Sequence, residues 1–148
     1  MMKRTAMLGL ATALALGASA AAFAEAARKV AIQVNANDPA VMNIALNNAK
    51  NLQAYYAGKG ETVDVEIVTY GPGLHMFMAD SPVKDRISAM AMEADGTMHF
   101  SACANTIAGM ERKTGTKPSL LSEATVVPSG VVRLMELQEQ GYSYIKPL

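Results

Sequence analysis

The feature that most constrains the fold is an alternation. Five short runs of β-branched and apolar residues recur along the chain, and each of the first four is followed by a stretch with helical spacing. "KVAIQVN" (29–35) places Val30, Ile32 and Val34 on one face and Ala31 and Gln33 on the other, the pattern of a strand inside a sheet. A helix follows, with Asp38 as N-cap, Pro39 as first helical residue, Val41, Ala45, Ala49, Leu52 and Tyr56 along one side, and Gly58 as its stop. "TVDVEIVTY" (62–70) sets Val63, Val65 and Ile67 against Asp64 and Glu66, which predicts an edge strand with a partly wet face.

Residues 71–82, "GPGLHMFMADSP", read as a loop, and 83–96 as a helix capped by Ser81 with Pro82 at its first position. "TMHFSAC" (97–103) is a third strand, "ANTIAGMERKTG" (104–115) a helix interrupted at Gly109, and "ATVVP" (124–128) a fourth strand. "SGVVRLMELQEQG" (129–141) is a helix ended by Gly141, and "YSYIKP" (142–147) a last strand. This β-α order predicts an open, mainly parallel five-stranded sheet with helices on both faces, joined by right-handed crossovers. Ligands of such sheets gather beyond the carboxyl ends of the strands. Those ends are Asn35 and Asn37, then 70–75, then 103–106, then 128–130.

Residues 1–24 have a different character. Lys3 and Arg4 precede an Ala-rich apolar stretch that closes on Ala22-Phe23-Ala24, the layout of a secretory signal peptide cut after Ala24. The stretch is Gly-broken and short of the roughly 20 strongly apolar residues a spanning helix needs. The expected product is residues 25–148, one domain in a periplasm, with no membrane attachment after cleavage. Cleavage removes two bases and no acid, so 11 Lys and Arg face 13 Asp and Glu, a net charge of −2. Nucleic acid and anionic membrane surfaces, which need a concentrated basic patch, are thereby disfavoured as partners.

Export makes the lone cysteine conspicuous, because Cys103 has no partner in its own chain for a disulfide. It falls on the rim of the sheet, where the first turn of the next helix offers unpaired N–H groups and a positive dipole end that favour a thiolate. A nucleophile or sulfur acceptor fits this position; a small buried hydrophobe also fits it. The same rim offers His75, the amides of Asn35, Asn37 and Asn105, and the Ser129 hydroxyl as groups to contact a bound anion or thiol adduct, although each type also serves in turns and caps. His99 shares a strand face with Ser101 and Cys103 but lies four residues, roughly 13 Å, away from the thiol, beyond the reach of a general base.

A rival reading is a soft-metal module. His75, Met76 and Met78 form "HMFM", and Met90, Met92, Met98, His99 and Cys103 add thioether, imidazole and thiolate ligands suited to Cu(I). The cluster lacks a repeated methionine motif, and methionines commonly fill core gaps, so no metal ligand is assigned. "GPG" (71–73) has neither phosphate-loop spacing, and no cofactor is expected. A non-catalytic structural subunit is the third class, and it requires Cys103 to be buried.

Taken in order, "VAIQVNANDPAVMNIALNNAKNLQ", "VEIVTYGPGLHMFMADSPVKDRI", "FSACANTIAG" and "VVPSGVVRLMELQEQGYSYIKP" resemble the DsrE/DsrF-like family, in its small exported branch. The likeness spans nearly all of residues 25–148. It implies a flavodoxin-like α/β layer, assembly into a homo-oligomer, and transfer of sulfur as a cysteine persulfide with a donor or acceptor protein. Cys103 matches the sulfur-carrying position of that family.

Overall fold

The computed structural model describes residues 28–148; the signal peptide expected over residues 1–24 lies outside the described residues. The elements are β1 (Arg28–Val34), α1 (Pro39–Ala57), β2 (Val63–Thr69), α2 (Lys84–Glu93), β3 (Met98–Cys103), α3 (Ala104–Thr114), β4 (Ala124–Val127), α4 (Gly130–Glu139) and β5 (Ser143–Ile145), with a 3₁₀ helix at Gly71–Phe77. The strands form one sheet in the order β4-β3-β2-β1-β5, and every pairing is parallel. The fold is an open, flavodoxin-like α/β sheet.

Strand order explains the layers. From β1 to β4 each new strand is added on the same side, so right-handed crossovers put α1, α2 and α3 on one face. The connection from β4 to β5 runs back across the whole sheet, and the same handedness sends α4 to the opposite face. Two separate apolar clusters follow. Ile32, Ile67 and Phe100 pack with Met42, Leu46, Ile87 and Ile107 on the three-helix face, while Ala31 and Val68 pack with Leu134 and Leu137 of α4 on the other.

Several local expectations are corrected. β2 is the central strand, with β1 and β3 as neighbours, so Asp64 and Glu66 face α4 rather than water. Alternation is the same for an edge strand and for a central strand whose second face carries paired polar groups; only strand order separates them. The 71–82 segment holds the 3₁₀ helix because it buries Leu74, Met76 and Phe77 against the sheet. Helix α2 starts at Lys84: Ser81 accepts from the Val83 N–H through its hydroxyl at 3.3 Å and from the Lys84 N–H through its carbonyl at 3.3 Å, which makes a turn of Ser81-Pro82-Val83 instead of a cap. Helix α3 passes through Gly109 without interruption and ends at Gly115, in the left-handed region with φ 76°. Asp38 caps α1 as expected, accepting from the Ala40 N–H at 2.7 Å.

Candidate functional site: a thiol between two diverging helices

Cys103 is the last residue of β3 and the N-cap of α3. Its side chain points to the α4 face, since Ala102 belongs to the three-helix core and parity alternates along the strand. The neighbouring strand β4 leads into α4 on that same face. Connections from two adjacent strands therefore part to opposite faces at Cys103, which places it at a topological switch point on the carboxyl rim.

Cys103 makes no side-chain capping bond. Polar groups at the starts of both helices nevertheless bear on its acidity: the Thr106 hydroxyl and the backbones of Gly130, Thr106 and Asn105 each lower its pKa. Burial raises the thiol's pKa; these four donors outweigh burial, and the net direction is down from 9.0. Asn105 and Thr106 are the second and third residues of α3, the positions whose N–H groups an N-cap side chain normally receives. Thr106 at the third position also reaches back to the cap, as the acidic partner does in a capping box. The Gly71 N–H donates to Thr106 Oγ1 at 2.9 Å, which leaves the hydroxyl proton free to point at the sulfur. Cys103 itself is 4 % exposed. It is buried and still has a lowered pKa, combining two properties that sequence reasoning set against each other.

The other rim residues fall into separate groups. His75 lies on the 3₁₀ helix with its Nδ1 at 2.8 Å from Asn37 Oδ1, and its Nε2 is 3.4 Å from Asp80 Oδ1. This pair joins the ends of β1 and β2 and has no bond to Cys103. Asn35 is half-buried after β1. Asn105 serves the sulfur through its backbone while its side chain is exposed. Ser129 caps α4, its hydroxyl accepting from the Val132 N–H at 3.5 Å. Of the methionines considered as metal ligands, Met76, Met90 and Met98 are core residues, whereas Met92 is exposed. Among the described residues no three His, Cys, Asp or Glu side chains come together as metal ligands.

Sequence reasoning placed Thr106 and Gly130 on the rim without assigning either to the thiol, although Cys-x-x-Thr at a strand-to-helix junction was a usable signal for the first. It also missed a polar layer under α4. Arg133 donates to Glu66 through Nε at 2.7 Å and Nη2 at 2.6 Å, and Ser101 Oγ donates to Glu66 Oε1 at 2.6 Å. Glu66 is 2 % exposed, and its pairing raises the Arg133 pKa. Beside it Tyr142 donates to Asp64, whose Oδ1 is 3.0 Å from His99 Nε2. Burial first, then the Asp64 carboxylate, push the Tyr142 phenol far above its ordinary value. A cleft of about 320 Å³ between α4 and the β4 edge exposes this layer through His99, Ser101, Thr125 and Arg133.

No protein-family model matches the chain, and a search of curated proteins finds no match. Among solved structures the chain is similar to a protein of unknown function, MTH1491 from Methanobacterium thermoautotrophicum. The two are 27 % identical with a TM-score of 0.69, over 81 % of this chain and 99 % of that one. The likeness supports the flavodoxin-like α/β arrangement.

Proposed function

We propose that this is an exported, periplasmic sulfur carrier that holds a persulfide on Cys103, as the resemblance to DsrE/DsrF-like proteins implies. The observation that carries the reading is the place of the chain's single cysteine at the end of β3 and the N-cap of α3, on the carboxyl rim of the sheet, where Thr106, Gly130 and Asn105 lower its pKa. Such donors favour a thiolate at the start of transfer, and they are equally suited to the terminal anion of the loaded form. In the loading step the Cys103 thiolate attacks the outer sulfur of a sulfane donor. A new Cys103 S–S bond forms, the donor's S–S bond breaks, and the donor's remaining sulfur leaves as the thiolate. No separate oxidant or reductant is needed. Delivery to an acceptor thiol reverses the same exchange, so the protein is a carrier rather than a turnover enzyme. Assembly into a homo-oligomer belongs to the reading and is supported by the exposure of Val131, Val132 and Met135 on α4.

The test is intact mass of residues 25–148 after exposure to inorganic polysulfide, a small donor suited to a residue that is 4 % exposed. The expected result is a reductant-labile gain of sulfur that Cys103→Ala abolishes while keeping its fold. Absence of any gain in the wild type, or equal gain in Cys103→Ala, overturns it.

A further inference from the structure

We propose that the cleft between α1 and α2, at the amino end of the sheet, is a binding site for a small zwitterion with an apolar body, the chemical class of apolar dipeptides and amino acids. The cleft encloses about 360 Å³. It lies at the end of the sheet opposite Cys103, so it is independent of the role proposed for the thiol. Helical spacing makes its walls. Lys50, Ala54 and Ala57 share one side of α1, and Met90, Glu93 and Ala94 share one side at the end of α2. Both helices lie on the three-helix face, and their last turns flank Val63, the first residue of β2.

Small side chains keep the space open. The three alanines leave the gap between the helices unfilled, and Val63 and Met90, both buried, close it with apolar surface. Most polar groups of the lining already have partners. Gln53 Nε2 donates to Thr97 Oγ1 at 3.3 Å, Thr97 Oγ1 donates to the Ala94 carbonyl at 2.6 Å, and Glu61 pairs with Arg28 at 3.1 Å. Lys50 and Glu93 stand exposed on opposite walls, and among the described residues neither side chain has a hydrogen bond or ion pair. Neither helix carries a basic residue in its last turn, so the negative ends of α1 and α2 add to the Glu93 carboxylate without a countercharge from that turn. An ammonium group therefore belongs beside Glu93 and the helix ends, a carboxylate beside Lys50, and the apolar body over Val63 and Met90. Lys50 lies one turn before Ala54 and two before Ala57; an extended dipeptide, about 7 Å long, matches that interval.

The experiment is an NMR amide-shift titration of residues 25–148 at low salt with leucyl-leucine, leucine and hexylamine, in wild type, Lys50→Gln, Glu93→Gln and Ala54→Trp. All three substituted positions are exposed, so the variants should fold. Leucyl-leucine should shift the amides of Ala54, Ala57 and Ala94 saturably and leave that of Cys103 in place; leucine should shift the same amides more weakly. Lys50→Gln and Glu93→Gln should each weaken leucyl-leucine about two- to fivefold, the range of one solvent-exposed ion pair. Ala54→Trp fills the cleft and should abolish binding. Absence of saturable shifts with leucyl-leucine, or an affinity unchanged in all three variants, overturns the proposal. Hexylamine that binds as tightly as leucyl-leucine and ignores Lys50→Gln would make this a site for simple cations, and shifts of the same amides with protein concentration alone would assign the cleft to a second copy of the chain; either result overturns the zwitterion.

Discussion

Glu66 places a carboxylate at the middle of the central strand with 2 % of its surface exposed, and Arg133 offsets the charge. Replacing Arg133 by Met keeps an apolar stem of similar length over the sheet and removes the guanidinium. Breaking a buried ion pair from one side costs about 3–5 kcal/mol, because the other charge stays desolvated. Arg133 retains 28 % of its side-chain exposure, so water can partly replace it, and the lower end, about 3 kcal/mol, is the expected loss. Ser101 would still donate one hydrogen bond to the carboxylate. For a domain of this size a loss of about 3 kcal/mol lowers Tm by roughly 10 °C.

Urea unfolding followed by circular dichroism reads the difference, with the slope m as a check that the unfolded surface is unchanged. The pairing argument makes a second, opposite demand. Removing both charges with Glu66→Leu and Arg133→Met together should restore most of the loss, since paired apolar replacements of buried ion pairs are often neutral or stabilising. A single Arg133→Met that costs less than about 1 kcal/mol, or a double variant as unstable as the single one, would refute the claim that Glu66 depends on Arg133.

Thr106→Val keeps the shape at the third position of α3 and removes the hydroxyl that lowers the Cys103 pKa; iodoacetamide kinetics should show alkylation at neutral pH slowed about three- to tenfold, within the range for one ordinary hydrogen bond. Gly73→Ala would bring a Cβ within 2.3 Å of the Val34 carbonyl oxygen, backbone against backbone, and should destabilise by about 2 kcal/mol or more in urea titration. Because the folded Cys103 pKa is depressed below 9.0, its thiolate contributes stability that is fully present above the unfolded value and lost as pH falls through the folded one. Denaturation of wild type and Cys103→Ala should therefore diverge increasingly in favour of wild type across that alkaline window, and parallel curves would exclude the depressed pKa.

The architecture was legible because each element carried its own period. The Val-x-Val and Ile-x-Val runs, the Asp38-Pro39 helix start and the spacing between strands suffice for an open parallel sheet. Neighbourhood was not legible. "VDVEIV" suits an edge strand with water on one face, and it equally suits a central strand whose Glu66 meets an arginine 67 residues further on. Nothing local in "SGVVRLMELQ" marks Arg133 as that partner. The same limit hid half of the thiol's surroundings. Asn105 and Thr106 are visible in "CANT" as positions of a helix start, but Gly130 reaches the sulfur only because α4 crosses back over the second face.

That crossing links the fold to the chemistry more closely than either helix does alone. What distinguishes Cys103 is that β4 lies beside β3, with Val127 paired to Cys103, and sends its helix to the other face, so the starts of α3 and α4 both leave the rim beside the thiol. The Arg133–Glu66 pair and the Tyr70–Gly130 contact then act on one element from two sides: the ion pair pins α4 one turn in from its start, and the tyrosine fixes the height of the start itself. How α4 is docked thus bears first on the stability of the sheet, through Glu66, and Gly130 at its start is also among the groups that lower the Cys103 pKa.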